Sequence, residues 1–108
     1  MSSRIEVIQP EGMLNGIRGN QLRCEVSNML ENGTDILLID LKEVNFIDSS
    51  GLGFLVSAMQ MARTANAKLF VCSVNDQVRM LFELTKIDRI VQSFADQDDF
   101  KRQVLTTM

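Results

Sequence analysis

The sequence predicts an α/β domain with a mixed, mostly parallel sheet, and three observations predict it. Ile36-Leu37-Leu38-Ile39 runs without polar interruption, the pattern of a strand covered on both faces and therefore central. Leu69-Phe70-Val71-Cys72 repeats that pattern downstream. Between and around these runs, apolar residues recur at helical spacing. Strands alternating with helices imply right-handed parallel crossovers, here in a sheet of about four to five strands with about four helices.

Each element has its own signal. Arg4 to Gln9 carries Ile5 and Val7 in alternation, with Ile8 also apolar, and reads as a first strand ending at Pro10. Glu11 and Gly12 turn the chain, and Met13-Leu14 is expected to pair back on the first strand as an N-terminal antiparallel edge. Asn15 and Gly16 open a helix with Leu22, Val26, Met29 and Leu30 on one face, and Gly33 after Asn32 ends it in left-handed geometry. Asp35 to Leu41 holds the central strand. A short connection follows, then a helix from Ser49 or Ser50 to about Ala65 that faces Leu52, Leu55, Val56, Met59 and Ala62 inward. A second stripe, Phe54, Ala58 and Met61, reads either as a wide buried face or as a surface for a partner or second copy. Lys68 to Ser73 is the next strand. Ser73 or Asn75 caps a third helix with Val78, Leu81, Phe82 and Thr85 inward, and Ile90 to Phe94 is a last short strand. Asp96, Asp98 and Asp99 suit the start of a C-terminal helix, with Lys101 and Arg102 further along it.

Composition excludes several functions. At 108 residues, 45% of them apolar and 23% charged, residues 1–108 read as one soluble domain. A net charge of -3, no basic run and no Trp or Tyr leave no footprint for nucleic acid. No apolar segment reaches the roughly 20 residues that span a bilayer, and Met1 to Glu6 lacks the apolar core of a signal peptide. The expectation is a cytoplasmic protein without membrane contact. Cys24 and Cys72 are too few for a metal cluster and are expected as buried reduced thiols with no disulfide. With no histidine, neither a Ser/His/Asp nor a Cys/His arrangement can be built. No catalytic residue, metal or cofactor is expected, and the acids near Asp96 read as helix-end electrostatics.

The functional signal concentrates between Asp40 and Gly53. Ser49 and Ser50 stand between Asp48 and the pair Gly51 and Gly53, at the mouth of a helix. The first N–H groups of a helix lack internal partners and carry the positive dipole end, so a hydroxyl there caps the helix and a phosphate there is stabilised. Glycines in that turn leave room for another protein to approach the serines. A capped helix with no further role shows the same residues. Gly51-Leu52-Gly53 falls short of a dinucleotide fingerprint, which needs a third glycine and a later acid.

Asp40-Leu41 at the end of a buried strand, followed by Val44-x-Phe46-Ile47-Asp48-Ser49-Ser50-Gly51-Leu52-Gly53, resembles the signature of STAS domains, in particular the bacterial anti-sigma-factor antagonists. The likeness extends to Gly12-Met13-Leu14-Asn15 and to Asn75-x-x-Val78-x-x-Leu81-Phe82-x-Leu84-Thr85, nearly the whole chain. The resemblance implies a STAS-like single domain and a phosphorylation-gated binding protein of transcription regulation, with no catalysis of its own. It implies partner switching: capture of an anti-sigma factor with serine-kinase activity when unphosphorylated, release when phosphorylated, and reset by a serine phosphatase. Matched to the motif, the acceptor is Ser49, with Ser50 as second choice. The partner-binding loop and helix would comprise Asp48, Ser49, Ser50, Gly51, Leu52, Gly53 and Phe54, with Asn15 nearby.

Asn15 stands where many relatives carry an acid, and Lys86 where relatives often have glycine. Asn15 keeps the capping ability without the charge, which bears on kinase recognition. A STAS scaffold in a kinase–phosphatase complex that acts on no sigma factor shares the motif. A receiver accepting phosphate on Asp40 or Asp48 would need an acidic pair after the first strand, and Pro10-Glu11-Gly12 supplies one acid. Monomer and dimer stay open, because an isologous contact leaves no unique mark in a sequence.

Overall fold

Strand β3 (Ile36–Asp40) is buried at every residue, as its uninterrupted apolar run requires. In the computed structural model, which describes residues 4–105, it lies inside a four-stranded sheet ordered β1-β3-β5-β6. Its partners are β1 (Ile5–Ile8), β5 (Lys68–Cys72) and, beyond β5, β6 (Gln92–Phe94). Ile5 pairs with Ile36, Ile36 with Lys68 and Phe70 with Gln92, all in parallel. The helices are α1 (Gly16–Glu31), α2 (Ser49–Thr64), α3 (Asp76–Thr85) and a short α4 (Gln97–Phe100) that continues as a π-helical turn over Lys101–Leu105.

The alternation of β3 divides the interior. Leu37 and Ile39 join the main core with Leu22 and Val26 of α1, Phe54 and Leu55 of α2 and Phe82 of α3. Ile36 and Leu38 face the other side, with Cys72, Phe94 and Phe100. There Phe70, Phe94 and Phe100 stack as a three-ring cluster, each pair of centroids 5.6 Å apart. Tilted and edge-on pairs of this kind add to the area they bury. The C-terminal segment therefore closes the far face of the sheet.

Two expectations are corrected at the N-terminus. Met13-Leu14 belongs to β2 (Gly12–Leu14), which pairs in parallel with β4 (Val44–Ile47) rather than back onto β1. Among the described residues every strand pair is parallel, so the antiparallel edge is not made. The cause is β4, read from sequence as a connection; in the structure Asn45 and Phe46 are both exposed between buried Val44 and Ile47, so the strand does not alternate. Gly12, at φ 73°, lets the chain cross from the main sheet to this second ribbon, where its N–H donates to the Glu43 carbonyl at 2.9 Å.

Cys24 is also corrected. It is exposed, whereas Cys72 is buried and both are free. Cys24 stands two residues after Leu22, about 200° around the helix and off the Leu22–Val26 face. Burial, and then the neighbouring Asp40 carboxylate, pushes the Cys72 thiol up to about 11, so it stays protonated.

α3 ends at Lys86, which adopts the left-handed conformation at φ 62°, ψ 19°. A side chain in that region carries a steric cost that glycine avoids. Lys86→Gly is expected to stabilise the fold by about 0.5–1 kcal/mol, read as a higher urea midpoint with an unchanged slope.

Candidate functional site

The site forms where two helices begin side by side. β4 delivers Asp48, whose extended backbone (φ -97°, ψ -176°) precedes α2 and whose Oδ1 accepts from the Gly51 N–H at 2.9 Å. β2 delivers Asn15 in the same role at α1, with its Oδ1 accepting from the Arg18 N–H at 3.0 Å. The two starts are tied together through Leu14, whose carbonyl accepts from the Asp48 N–H at 3.3 Å.

Glycines allow this closeness. A Cβ on Gly51 would overlap the Leu14 carbonyl oxygen and lie 2.9 Å from its carbon and 3.1 Å from Ile47 Cγ2. A Cβ on Gly16 would sit 3.4 Å from Ser50 Cβ, and one on Gly19 3.1 Å from Phe54 Cβ. α1 thus leans on the first turns of α2. Gly53 differs, because a Cβ there meets nothing within 4 Å.

Ser49 and Ser50 are the first two residues of α2 and both are exposed. The cap is supplied by Asp48, not by either serine. Ser50 lies against Gly16 of α1. A phosphoryl group on Ser49 would stand in the first turn of α2, where the helix dipole returns about 0.3–1 kcal/mol, up to about 2.

The remaining sequence-predicted site residues divide. Asn15 and Asp48 are partly buried caps beside the serines, and Gly53 is open. Gly51 is buried: its missing side chain serves the Leu14 carbonyl rather than an incoming protein. Leu52 and Phe54 are core residues, at 9% and 0% exposure, so they present no surface to a partner. In the second stripe Ala58 is buried as well, while Met61 is half-buried against the core. Two helical faces of α2 are covered because α1 packs on one of them, a contact made close by Gly16 and Gly19.

Two exposed side chains beside the loop escaped sequence reading. Met13 and Phe46 are neighbours across the β2–β4 ladder and are 53% and 50% exposed. Their pairing is legible only once Val44–Ile47 is known to be a strand.

Other acids have structural work. Asp40 is 2% exposed, and its carboxylate accepts from the Lys42 N–H at 3.0 Å, Gln9 Nε2 at 3.1 Å and Gln97 Nε2 at 2.8 Å. These bonds lash the ends of β1 and β3 to the start of α4. A receiver-type acceptor needs a free carboxylate beside a metal, whereas Asp40 is enclosed and Asp48 is a cap. Among the described residues no group of three acids or cysteines could hold a metal ion. Asp96 caps α4 through the Asp99 N–H at 2.7 Å, and Asp99 returns the bond to the Ala95 N–H at 2.9 Å. That backbone bond, followed by one from Gln103, holds the Asp99 carboxyl below its ordinary value. No helix of the described residues is long and apolar enough to cross a membrane.

With this geometry in place, the similarities to known proteins are specific. A family model for the STAS domain matches residues 2–100. Anti-sigma-B factor antagonists of Listeria monocytogenes and Staphylococcus aureus are 37% identical over 57 residues and 32% identical over 65 residues. These matches cover 53% and 60% of this chain and 50% and 60% of the relatives, so the chain spans about half to three-fifths of the curated relatives it matches. Structures of the anti-sigma factor antagonist SpoIIAA superpose with TM-score 0.80 in the unphosphorylated form and 0.73 in the phosphorylated form of Bacillus. Both are 17% identical, the first covering 99% of this chain and 92% of the other, the second 94% and 92%. At that identity the likeness concerns the fold.

Proposed function

The chain belongs to the STAS domain family, and from that premise we propose that it is a phosphorylation-gated antagonist of an anti-sigma factor. Unphosphorylated, it captures an anti-sigma factor that is itself an ATP-dependent serine kinase. Phosphorylated on Ser49, it releases that partner, and a serine phosphatase resets it. It works in the cytoplasm as a binding protein with no catalysis of its own.

The observation that carries this reading is an exposed Ser49 in the first turn of a helix whose start is locked internally by the Asp48 cap and the Leu14–Gly51 contact. Phosphorylation adds about -1.5 to -2 charges at neutral pH beside Asp48. Like charges near 4 Å repel by about 1 kcal/mol in water and about 4 at an effective dielectric of 20. The helix start offsets part of this, so the fold persists. A partner closed over the loop meets a doubly charged group it has no room for, and exclusion follows without refolding.

Mass spectrometry of the chain from its native cells, read on the tryptic peptide from Glu43 to Arg63, tests the acceptor. Phosphate is expected on Ser49 in part of the population. Ser49→Ala should bind the kinase and take up no label, and Ser49→Glu should lose about tenfold or more in affinity. Bare serines under all growth and stress conditions would replace the switch with a constitutive adaptor in a kinase–phosphatase complex.

A further inference from the structure

We propose that the kinase partner seats an apolar segment in the groove between β4 and α3, gripping Phe46 and Met80, so that capture depends on a surface distinct from the acceptor loop. This rests on the reading of Ser49 as the gate.

The groove has a volume of about 390 Å³ and is lined by Asn45, Phe46 and Ile47 on one side and Val78, Met80 and Leu81 on the other, with Asp76 and Gln77 at one end. Ile47 and Val78 are buried and form its floor. Phe46 and Met80 are 50% and 61% exposed, although each is large and apolar. Met13 extends the patch from β2, and Leu84, 73% exposed, continues it one turn along α3. Exposed apolar side chains that gather in this way mark an interaction surface, and methionine adapts its shape to what docks.

Continuity with the acceptor identifies the occupant. Phe46 precedes Ser49 by three residues of one strand and loop, a reach of at most about 10 Å. A protein interface of ordinary size covers about 800 Å² per partner, a disc of roughly 16 Å radius. A kinase that closes on Ser49 with such a footprint covers Phe46 and the groove it lines. A second copy of this chain seated there would instead shield Ser49 from the kinase. Asp76, the one charged side chain among the groove residues, is paired with Arg79 at 3.7 Å, so the segment the groove receives is apolar along its length.

The probe is the serine kinase, purified by its transfer of phosphate from ATP to Ser49. Its equilibrium binding is measured to the wild-type chain, Met80→Ser, Phe46→Ser, Ser49→Glu and Val7→Ser. Val7 is an exposed apolar residue on β1, away from the groove, and serves as the control. Expected are losses of about tenfold or more for Met80→Ser and Phe46→Ser, with Val7→Ser unchanged and unfolding midpoints near wild type. Wild-type affinity for both groove variants, while Ser49→Glu fails to bind, would overturn the groove and leave the gate standing. Undiminished binding by Ser49→Glu, or no kinase that labels Ser49, would overturn the gate and the groove with it. A wild-type dimer in sedimentation equilibrium that Met80→Ser dissolves would assign the groove to a second copy and overturn the proposal.

Discussion

Gly51→Ala is expected to cost about 3 kcal/mol or more, a large share of the total stability. The added methyl would overlap the carbonyl oxygen of Leu14, and the obstacle is backbone, so no rotamer change relieves it. Either β2 must retreat from β4 or the first turn of α2 must lift. The second route breaks the Asp48 cap on the Gly51 N–H, worth about 1 kcal/mol by itself. Domains of this size have about 5–15 kcal/mol in total. Urea unfolding measures the loss, and Gly53→Ala is the matched control. That position is helical with open space around its Cβ, so alanine should gain about 0.5–1 kcal/mol there. Equal behaviour of the two variants would refute the close approach at Leu14.

Phe54→Ala should cost about 3–5 kcal/mol and, at temperatures where the variant remains folded, should leave kinase affinity unchanged. Phe54 is 0% exposed within the main core and touches the bare face of α1 at Gly19. Truncation opens a cavity between helices that glycine cannot refill. Calorimetry gives the stability change and titration with the kinase gives the affinity. A variant that folds as well as wild type yet fails to bind would return Phe54 to the partner surface.

Much of this architecture is written in local patterns. The run Ile36–Ile39 announces a doubly covered strand because a central parallel strand has no solvent face, and it is buried throughout. Asn15, Asn75 and the Gly33 stop are legible because their chemistry is local to one helix end; each takes the expected place, Gly33 at φ 90°. What local pattern does not carry is the pairing of distant segments. Val44–Ile47 lacks alternation, so the strand that reverses the expected partnership of Met13-Leu14 is invisible until both are placed. The stripe of Phe54, Ala58 and Met61 leaves two readings open in the sequence, and the wide buried face is the one the structure takes, because the glycines of α1 bring a second helix against α2. The assignment of Phe54 to a partner surface therefore does not fit its burial. Gly51 shows the same effect in miniature, since a bare position reads equally as an opening for another protein or as contact with its own chain.

The all-parallel pairing has a kinetic consequence. Ile5 meets Ile36, Met13 meets Phe46 and Ile36 meets Lys68, so each pairing closes a loop of about 30 residues at roughly 3 kcal/mol of chain entropy. No hairpin among these strands offers a local nucleus, and folding is expected to be slow for a chain of this length. The loop at Ser49 inherits that schedule. Its shape depends on the Leu14 carbonyl resting on Gly51, so it is complete only once β2 and the start of α2 have docked. On the proposed reading of Ser49, a kinase that recognises this shape would act on folded molecules only.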